Sequence, residues 1–562
     1  LFSFDSVYSN VKLELSLSRM KTPGDPQIWI LSSILIATAA LLALMQLMYT
    51  PPEPNLALEA LRVKHTKPYV PSVDHTKFEQ LKGPFASPQA VTQTCLTCHT
   101  ESHKEVMASS HWNWDRISYI EGRGVAAIGK KNVLNNYCIG VAGNELACAS
   151  CHTGFGLKSI QDFDFKRAEN VDCMSCHDHS GQYNKGTSMA GIPGKDVDLV
   201  KAALSVGKPA IENCGSCHFY GGGGNNVKHG DLEESLYAAT KDLDVHLAKE
   251  GVALSCVSCH TAENHVIKGR LYSVSSANIN RSECSDCHSE TPHLTEILNT
   301  HTARVACQTC HIPVYAKANP TKMEWKWSDA GQLNDGLPFT KEDPHGEHAY
   351  MSQKGSFVWA SNVAPEYVWF NGNADHYLLG DRIDTTALPV KINTMLGSHN
   401  DPASKIIPVK VHRGDQIYDA KYLTLIQPKL YAVAAGDSAF WKDFNWRNAA
   451  QKGMADIGLP FSGEYGFVKT EMYWPINHMV SPASQSLTCG DCHTQRSDGR
   501  LAALTGFYLP GRDRNSTLDS FGLGMVLLAI FGVVVHGGAR VWLHLRNTKD
   551  LEMPHAMEKN ND

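Results

Sequence analysis

The sequence predicts a mainly α-helical protein with extensive irregular structure, set between two membrane-spanning helices. Its core is filled by something other than aliphatic side chains. Three observations predict this. Only 43% of the 562 residues are hydrophobic, yet there are 17 cysteines and 27 histidines. All but one of the cysteines fall in C-x-x-C pairs, each followed at once by a histidine. Two long apolar runs lie near the two ends of the chain.

The elements follow in order. Residues 1–27 form a cytoplasmic N-terminal segment, of which 1–19 precede the first methionine, Met20, and read as a misassigned start. Residues 28–49, "IWILSSILIATAALLALMQLMY", carry no charge. A run of about 20 apolar residues crosses a bilayer as a helix. It leads into "LMYTPPEPN", which lacks the small-x-small site of a cleaved signal peptide, so it reads as an anchor. Arg19 and Lys21 precede it and put the N-terminus inside. Pro51, Pro52 and Pro54 stiffen a linker over 50–84. An extracytoplasmic domain over 85–495 comes next, followed by a linker (496–520). A second span (521–545) ends near Arg540, Arg546 and Lys549, which suits an exit to the cytoplasmic tail, 546–562. His536 lies inside that span. It reads as a site for a b-type haem shared with a partner subunit, as part of a quinone pocket, or as a helix-packing residue.

Within the domain, strand patterns are few: "KIIPVKVH" (405–412) and "YLTLI" (422–426). A helix is expected over 231–250, opened by an Asp cap. Residues 313–488 hold no cysteine but seven of the 11 tryptophans. That stretch is either an inserted subdomain or chain wrapped over the rest. The net charge of −6 and the lack of any long basic block exclude a nucleic-acid partner.

The motifs carry the chemistry. They pair Cys95 with Cys98, Cys148 with Cys151, Cys173 with Cys176, Cys214 with Cys217, Cys256 with Cys259, Cys284 with Cys287, Cys307 with Cys310, and Cys489 with Cys492. The histidines that follow are His99, His152, His177, His218, His260, His288, His311 and His493. C-x-x-C-H is the c-type haem attachment signature. On a helical turn, positions i and i+3 approach each other and can bond the two haem vinyl groups, while i+4 aims an imidazole at the iron. Disulfides need no following histidine, and zinc or iron–sulfur sites need none at that fixed place. The expected core is therefore eight covalent c-type haems, and the domain is a multihaem cytochrome c outside the cytoplasm.

A haem with two histidine ligands passes electrons but has no place for substrate, whereas a catalytic haem needs an open position. Sixteen non-motif histidines lie between the apolar runs, enough for second ligands. The ones singled out are His111, His229, His246, His265, His301, His399, His412 and His478.

The chain resembles the octahaem c-type cytochromes of the tetrathionate reductase family over residues 85–495. The resemblance rests on the eight motifs and on "SSHWNWD" (109–115), "KKNVLNNYCIG" (130–140), "GGGGNNVKHGDL" (221–232), "VACQTCHIPVYA" (305–316) and "INHMVSPASQSLTCGDCH" (476–493). It implies seven bis-histidine haems and a catalytic haem at the second motif, Cys148/Cys151, with lysine as ligand. Lys228 stands at the matching position. If it binds in place of the motif histidine, His152 is displaced; if it binds opposite, the site is closed at rest. The family also keeps a free cysteine near that haem, which makes Cys138 a candidate catalytic thiol; the alternative is a buried, inert cysteine. Glycines 221–224 would let backbone approach a porphyrin. Lys130, Lys131, Asn135 and Asn136 are candidates for binding an anion.

The expected function is a membrane-anchored reductase of a small sulfur or nitrogen species: tetrathionate, nitrite, hydroxylamine or sulfite. Electrons would come from a quinol-oxidising or cytochrome b partner in a bacterial inner membrane. Two other readings remain at this point: a pure electron conduit with eight bis-histidine haems, and the reverse, oxidative direction.

Overall fold

The structure is a computed structural model, and it describes Ser33, residues 36–44, Val63, and residues 70–137, 139–186, 189–269 and 280–550. Leu1–Ala57 forms a unit of its own, and Leu58–Asp562 forms the second. In the first unit, Ser33 and residues 36–44 are helical. The rest of the expected span over 28–49 lies outside the described residues.

The first half of the larger unit is built from short helical turns. Helices Pro88–Leu96, Met174–His177, Ile211–His218, Cys256–Cys259 and Cys307–His311 each carry part of a motif. Two short hairpins interrupt them: β1 (Asp115–Ile120) with β2 (Gly124–Gly129), and β3 (Ala262–Glu263) with β4 (Val266–Ile267). Apolar clusters here are small. One, of Leu81, Val91, Met174, Ala202 and Ala203, and another, of Phe219, Leu236, Ala239 and Leu243 with Met479, are satellites rather than a core.

The second half is a sheet. Its strands are β5 (Thr321–Lys326), β6 (Thr340–Glu342), β7 (His348–Met351), β8 (Gly355–Ala360) and β9 (Glu366–Phe370). A side pair, β10 (Ala374–His376) with β12 (Asn393–Met395), flanks β11 (Val390–Lys391). The sheet is completed by β13 (Lys405–Asp419), β14 (Thr424–Leu425) and β15 (Tyr465–Pro475). Nine strands join in the order β11-β15-β13-β5-β8-β7-β6, with β9 and β14 also paired to β13. The spine is the antiparallel β13–β15 ladder, in register from Val409↔Pro475 to Asp419↔Tyr465. Its core includes Trp325, Trp327, Trp446, Trp474, Phe440 and Ile417. Trp325 stacks on Trp327 at 4.9 Å, and Phe440 stacks on Trp446 at 3.7 Å.

The expected mainly α fold is therefore corrected: helix makes up 30% and strand 19%, with the strands gathered toward the C-terminus. The reason is visible in β13. It is buried on both faces along most of its length, so it does not alternate, and Lys410, His412 and Asp415 within it break the apolar run. The segment "KIIPVKVH" shows only its first half. The expected helix over 231–250 is also absent apart from a 3₁₀ turn at Glu234–Ala238. Its carboxylates are engaged over long range instead. Asp231 accepts from the backbone N–H groups of Asn477 and His478, and Asp244 from those of Met479 and Val480.

Among the described residues, one helix is long and apolar enough to cross a membrane. The element runs Ser516–Asp550, with its apolar stretch at Ser516–Arg546.

Candidate functional site

A cavity of about 3370 Å³ runs through the first half of the larger unit. Residues of six motifs line it, from Cys148 to His311, together with Lys228 and Trp474 from its far wall. Its size and its cysteine and histidine lining are what a stack of covalent macrocycles would fill.

Seven motif histidines face a second histidine. The pairs are His99–His75 (6.3 Å between ring centroids), His177–His265 (6.3 Å), His218–His111 (6.3 Å), His260–His478 (6.2 Å), His288–His246 (6.2 Å), His311–His293 (6.1 Å) and His493–His301 (6.1 Å). With metal–nitrogen bonds of about 2.0 Å, two imidazoles sharing one iron have ring centres roughly 6 Å apart. The residues present thus fit the group. Their hydrogen bonds agree: Nδ1 meets a carbonyl in His177 (Gly207, 2.8 Å), His260 (Lys268, 2.8 Å), His493 (Pro510, 2.7 Å) and His301 (Ile297, 2.6 Å). In His265 it meets the Glu105 carboxylate at 2.7 Å, and in His478 that of Asp231 at 3.2 Å. A bond at Nδ1 fixes the ring and leaves the Nε2 lone pair for a metal.

The second motif departs from all of these. In the first, third, fifth, sixth and eighth motifs the histidine N–H bonds the first cysteine carbonyl at 2.8–3.1 Å, closing a helical turn. His152 N–H bonds Ala149 instead, in a 3₁₀ turn, and its own backbone is extended. Its ring lies in an aromatic box of Trp112, Trp114, Phe163 and Phe165. Its Nε2 lies 2.6 Å from the Trp112 carbonyl, so that nitrogen carries the proton and donates. Burial holds the ring neutral, its pKa pushed down to about 4. No histidine faces His152 among the described residues.

Lys228 lies near the second motif. It lines the cavity with Cys148 and Cys151, and its Nζ lies 4.4 Å from the Trp474 ring centre. It opens onto the cavity and is otherwise enclosed. Burial, helped by the charge of Lys130, lowers its pKa to about 7. Its carbonyl accepts from the Tyr137 hydroxyl (2.7 Å) and from Lys410 Nζ (3.2 Å). Lys410 also donates to Val227 O (2.8 Å) and Thr321 Oγ1 (2.6 Å). The glycines before it are required. Gly222 and Gly223 have φ of +85° and +90°, and a Cβ on Gly222 would lie 2.9 Å from Val227 and 3.3 Å from Tyr137.

The chain belongs with known proteins. A crystal structure of an octahaem cytochrome c from Shewanella oneidensis is 44% identical, with a TM-score of 0.71, covering 77% of this chain and 96% of that one. The chain is an octahaem c-type cytochrome. A family model described as bacterial cytochrome c matches residues 322–496. An uncharacterised protein of Archaeoglobus fulgidus is 24% identical over 244 residues, 34% of the cytochrome and 80% of that protein. The cytochrome binds c-type haems and works in electron transfer or redox catalysis.

Of the histidines singled out from sequence, His111, His246, His265, His301 and His478 face a motif histidine. His229, His399 and His412 do not. His229 packs on Trp474 (4.8 Å), His399 against Phe507 (5.3 Å) and Trp369, and His412 is buried against Tyr137 (4.3 Å). His75 and His293 take the two remaining places. His75 falls in the stretch read as linker, and only the Asp74 cap of its short turn marked it as ordered. The proposed anion binders also separate. Lys130 lines the cavity, as does Asn135. Lys131 is paired with Asp115 at 3.5 Å, and Asn136 is buried in bonds to His412 O, Gln416 and Thr470. Cys138 lies outside the described residues.

Proposed function

We propose that the cytochrome is a membrane-anchored reductase of a small sulfur or nitrogen species such as tetrathionate, nitrite or hydroxylamine. It would hold eight covalent haems, seven with paired histidines and one, at Cys148/Cys151, with Lys228 in place of His152. When bound, the haems supply one-electron redox chemistry and, at one iron face, room for substrate. The observation that carries this reading is His152: its Nε2 proton is given to the Trp112 carbonyl, while seven other motif histidines each face a partner. An iron without its motif histidine needs another donor, and Lys228 is an amine whose proton burial makes easier to lose.

The chain's own residues do the rest. Tyr137 and Lys410 fix the Lys228 carbonyl and so aim its side chain. Lys130 supplies a positive charge at the cavity wall, which favours an anion where water is scarce. Cys138, next to Tyr137 in sequence, is the proposed thiol for sulfur transfer or for holding an oxyanion. The Ser516–Asp550 helix would anchor the protein in a bacterial inner membrane with the haem domain in the periplasm. His536 on that helix offers a group for a partner's b-type haem or a quinone.

Lys228→Ala tests the reading. The variant should lose turnover with reduced dye on all these substrates, and the electron paramagnetic resonance signal of one haem should change. An unaltered spectrum and redox titration would instead support a pure electron conduit.

A further inference from the structure

The last motif is built into the root of the apolar helix. After His493 the chain loops over 495–514 and returns, so that the Pro510 carbonyl accepts from His493 Nδ1 at 2.7 Å. Arg512 clamps this loop. It donates to the carbonyls of Leu501 (2.9 Å), Leu504 and Phe507 (2.8 Å), and pairs with Asp513 at 2.7 Å. Arg514 reaches back to Gln495 Oε1 at 3.1 Å, two residues beyond His493. Leu501 and Leu509 are buried against Tyr367, Trp369 and Ile406, which fastens the loop to β9 and β13. Only Asn515 separates Arg514 from the helix start at Ser516, and its side chain caps that helix by accepting from Leu518 N–H at 3.1 Å. Pro510 lies six residues before Ser516, so even fully extended chain would span no more than roughly 22 Å.

No other histidine pair is tied in this way to a membrane-length helix among the described residues. Residues 50–74 separate the N-terminal apolar run from His75 and could span up to ~85 Å. The basic residues Arg540 and Arg546 lie at the far end of the C-terminal helix, which puts the strap on the outer side of the bilayer.

From these contacts we infer that the His301–His493 site is the port where electrons enter from the membrane, and that the Arg512-clamped strap over 495–514 holds it at the bilayer surface. The donor is a quinol, free in the bilayer or bound in a partner subunit. It would become the quinone by releasing two protons to water and two electrons, which would enter one at a time through the haem that His301 and His493 would hold, whose iron supplies one-electron chemistry when bound. Arg512 is a positioning residue, acting through Pro510 on His493. The inference rests on the haem occupancy and membrane anchoring proposed above, but not on the substrate.

The test uses membrane vesicles that contain the full chain and its native partners, with a naphthoquinol as donor and haem absorbance as readout. A Gly/Ser insert of about ten residues between Arg514 and Asn515 adds ~17 Å of mean reach. It leaves the strap's hydrogen bonds and the helix cap in place. Quinol-driven haem reduction should slow by about tenfold or more, as expected when a reacting pair loses its fixed position. Reduction by dithionite should be unchanged. The same insert after Pro52 should leave both rates alone. If quinol-driven reduction keeps its rate with the first insert, or slows only with the second, the port lies elsewhere and the inference fails. Equal slowing under dithionite also overturns it, because the port would then not be separable from the helix. Arg512→Ala should shift the reduction potential of one haem, and Arg512→Lys should restore part of that shift. If vesicles respond but purified chain in quinol-loaded liposomes does not, the quinol is the partner's; if both respond, it is free.

Discussion

The two halves of the larger unit solve the same problem with different materials. The first half, to about residue 312, spends its residues on short turns and leaves a cavity of about 3370 Å³. The second half fills its interior with Trp325, Trp327, Trp446 and Trp474 and closes it with nine strands. One half is completed by its cofactor and the other by its side chains. Lys228 sits where they meet: its loop belongs to the first, while Lys410 on β13 and Trp474 on β15 belong to the second. The sheet half thus holds the backbone and ring neighbour of Lys228, the proposed ligand.

The sharpest way to break this comparison is to withhold haem. In chain made without haem attachment, backbone amides over 88–311 should exchange without protection, while the Val409–Tyr418 ladder stays protected. Metal and cofactor binding that completes a core is folding energy. Equal protection in both halves would mean that the turns hold themselves together. The next effect is confined to the seam. Lys228→Ala should lower turnover with reduced dye by about a hundredfold or more, as expected when a positioned catalytic group is lost, and Tm should change little. A comparable loss in His229→Ala, which faces no motif histidine among the described residues, would show that the pairing geometry does not identify ligands.

How much of this was legible in the sequence follows from the same division. The cofactor-filled half announces itself, because C-x-x-C-H is a local pattern that states its chemistry within five residues. What it does not announce is pairing. His111 faces the fourth motif rather than its neighbours, and His301 faces His493, 192 positions away in the numbering. Such contacts are set by how turns stack, which no local spacing records. His412 misleads for the opposite reason: it stands in a strand buried on both faces, where a histidine looks like a ligand but packs on Tyr137. The strand was read only to His412, because beyond it Arg413, Gly414, Asp415 and Gln416 break the apolar run of β13. Lys410 and His412 serve the seam, while Asp415 pairs with Lys469 and accepts from Ser328.

Within the sheet half, Trp474→Ala should cost about 3–5 kcal/mol, read as a lower midpoint in denaturant. It also removes the ring beside Lys228, so the spectrum of one haem should shift at the same time. Trp325→Ala should cost a similar amount with no spectral change. If both variants shift the spectrum, the sheet acts as a block and the contact with Trp474 is not special.

Acid should act on the seam near neutral pH. Lys228 is held at about 7 against an ordinary 10.5. Between those values the unfolded chain binds a proton that the folded chain does not, so this group's contribution to stability rises with pH from about 7 to 10.5. At the proposed iron site a proton would compete with the metal for the amine's one lone pair. A pH titration of the haem spectrum should therefore show a transition on acidification that Lys228→Ala lacks. A transition retained in that variant would assign it to another group.

The smallest effects separate the seam's two layers. Asn136 ties the 135–137 segment to the sheet through His412 O (2.9 Å), Thr470 Oγ1 (2.8 Å) and Gln416 Nε2 (3.3 Å). Asn136→Ala leaves buried partners unmatched and should cost about 1–3 kcal/mol. Because Tyr137 follows directly, its hold on the Lys228 carbonyl should loosen and turnover should fall. Thr470→Val removes only one of those bonds while keeping the shape, so it should cost about 1 kcal/mol or less and leave turnover unchanged. If Thr470→Val lowers turnover as much as Asn136→Ala does, positioning runs through β15 as a whole. If it does not, the ligand is aimed by the short path from β13 through Asn136 and Tyr137.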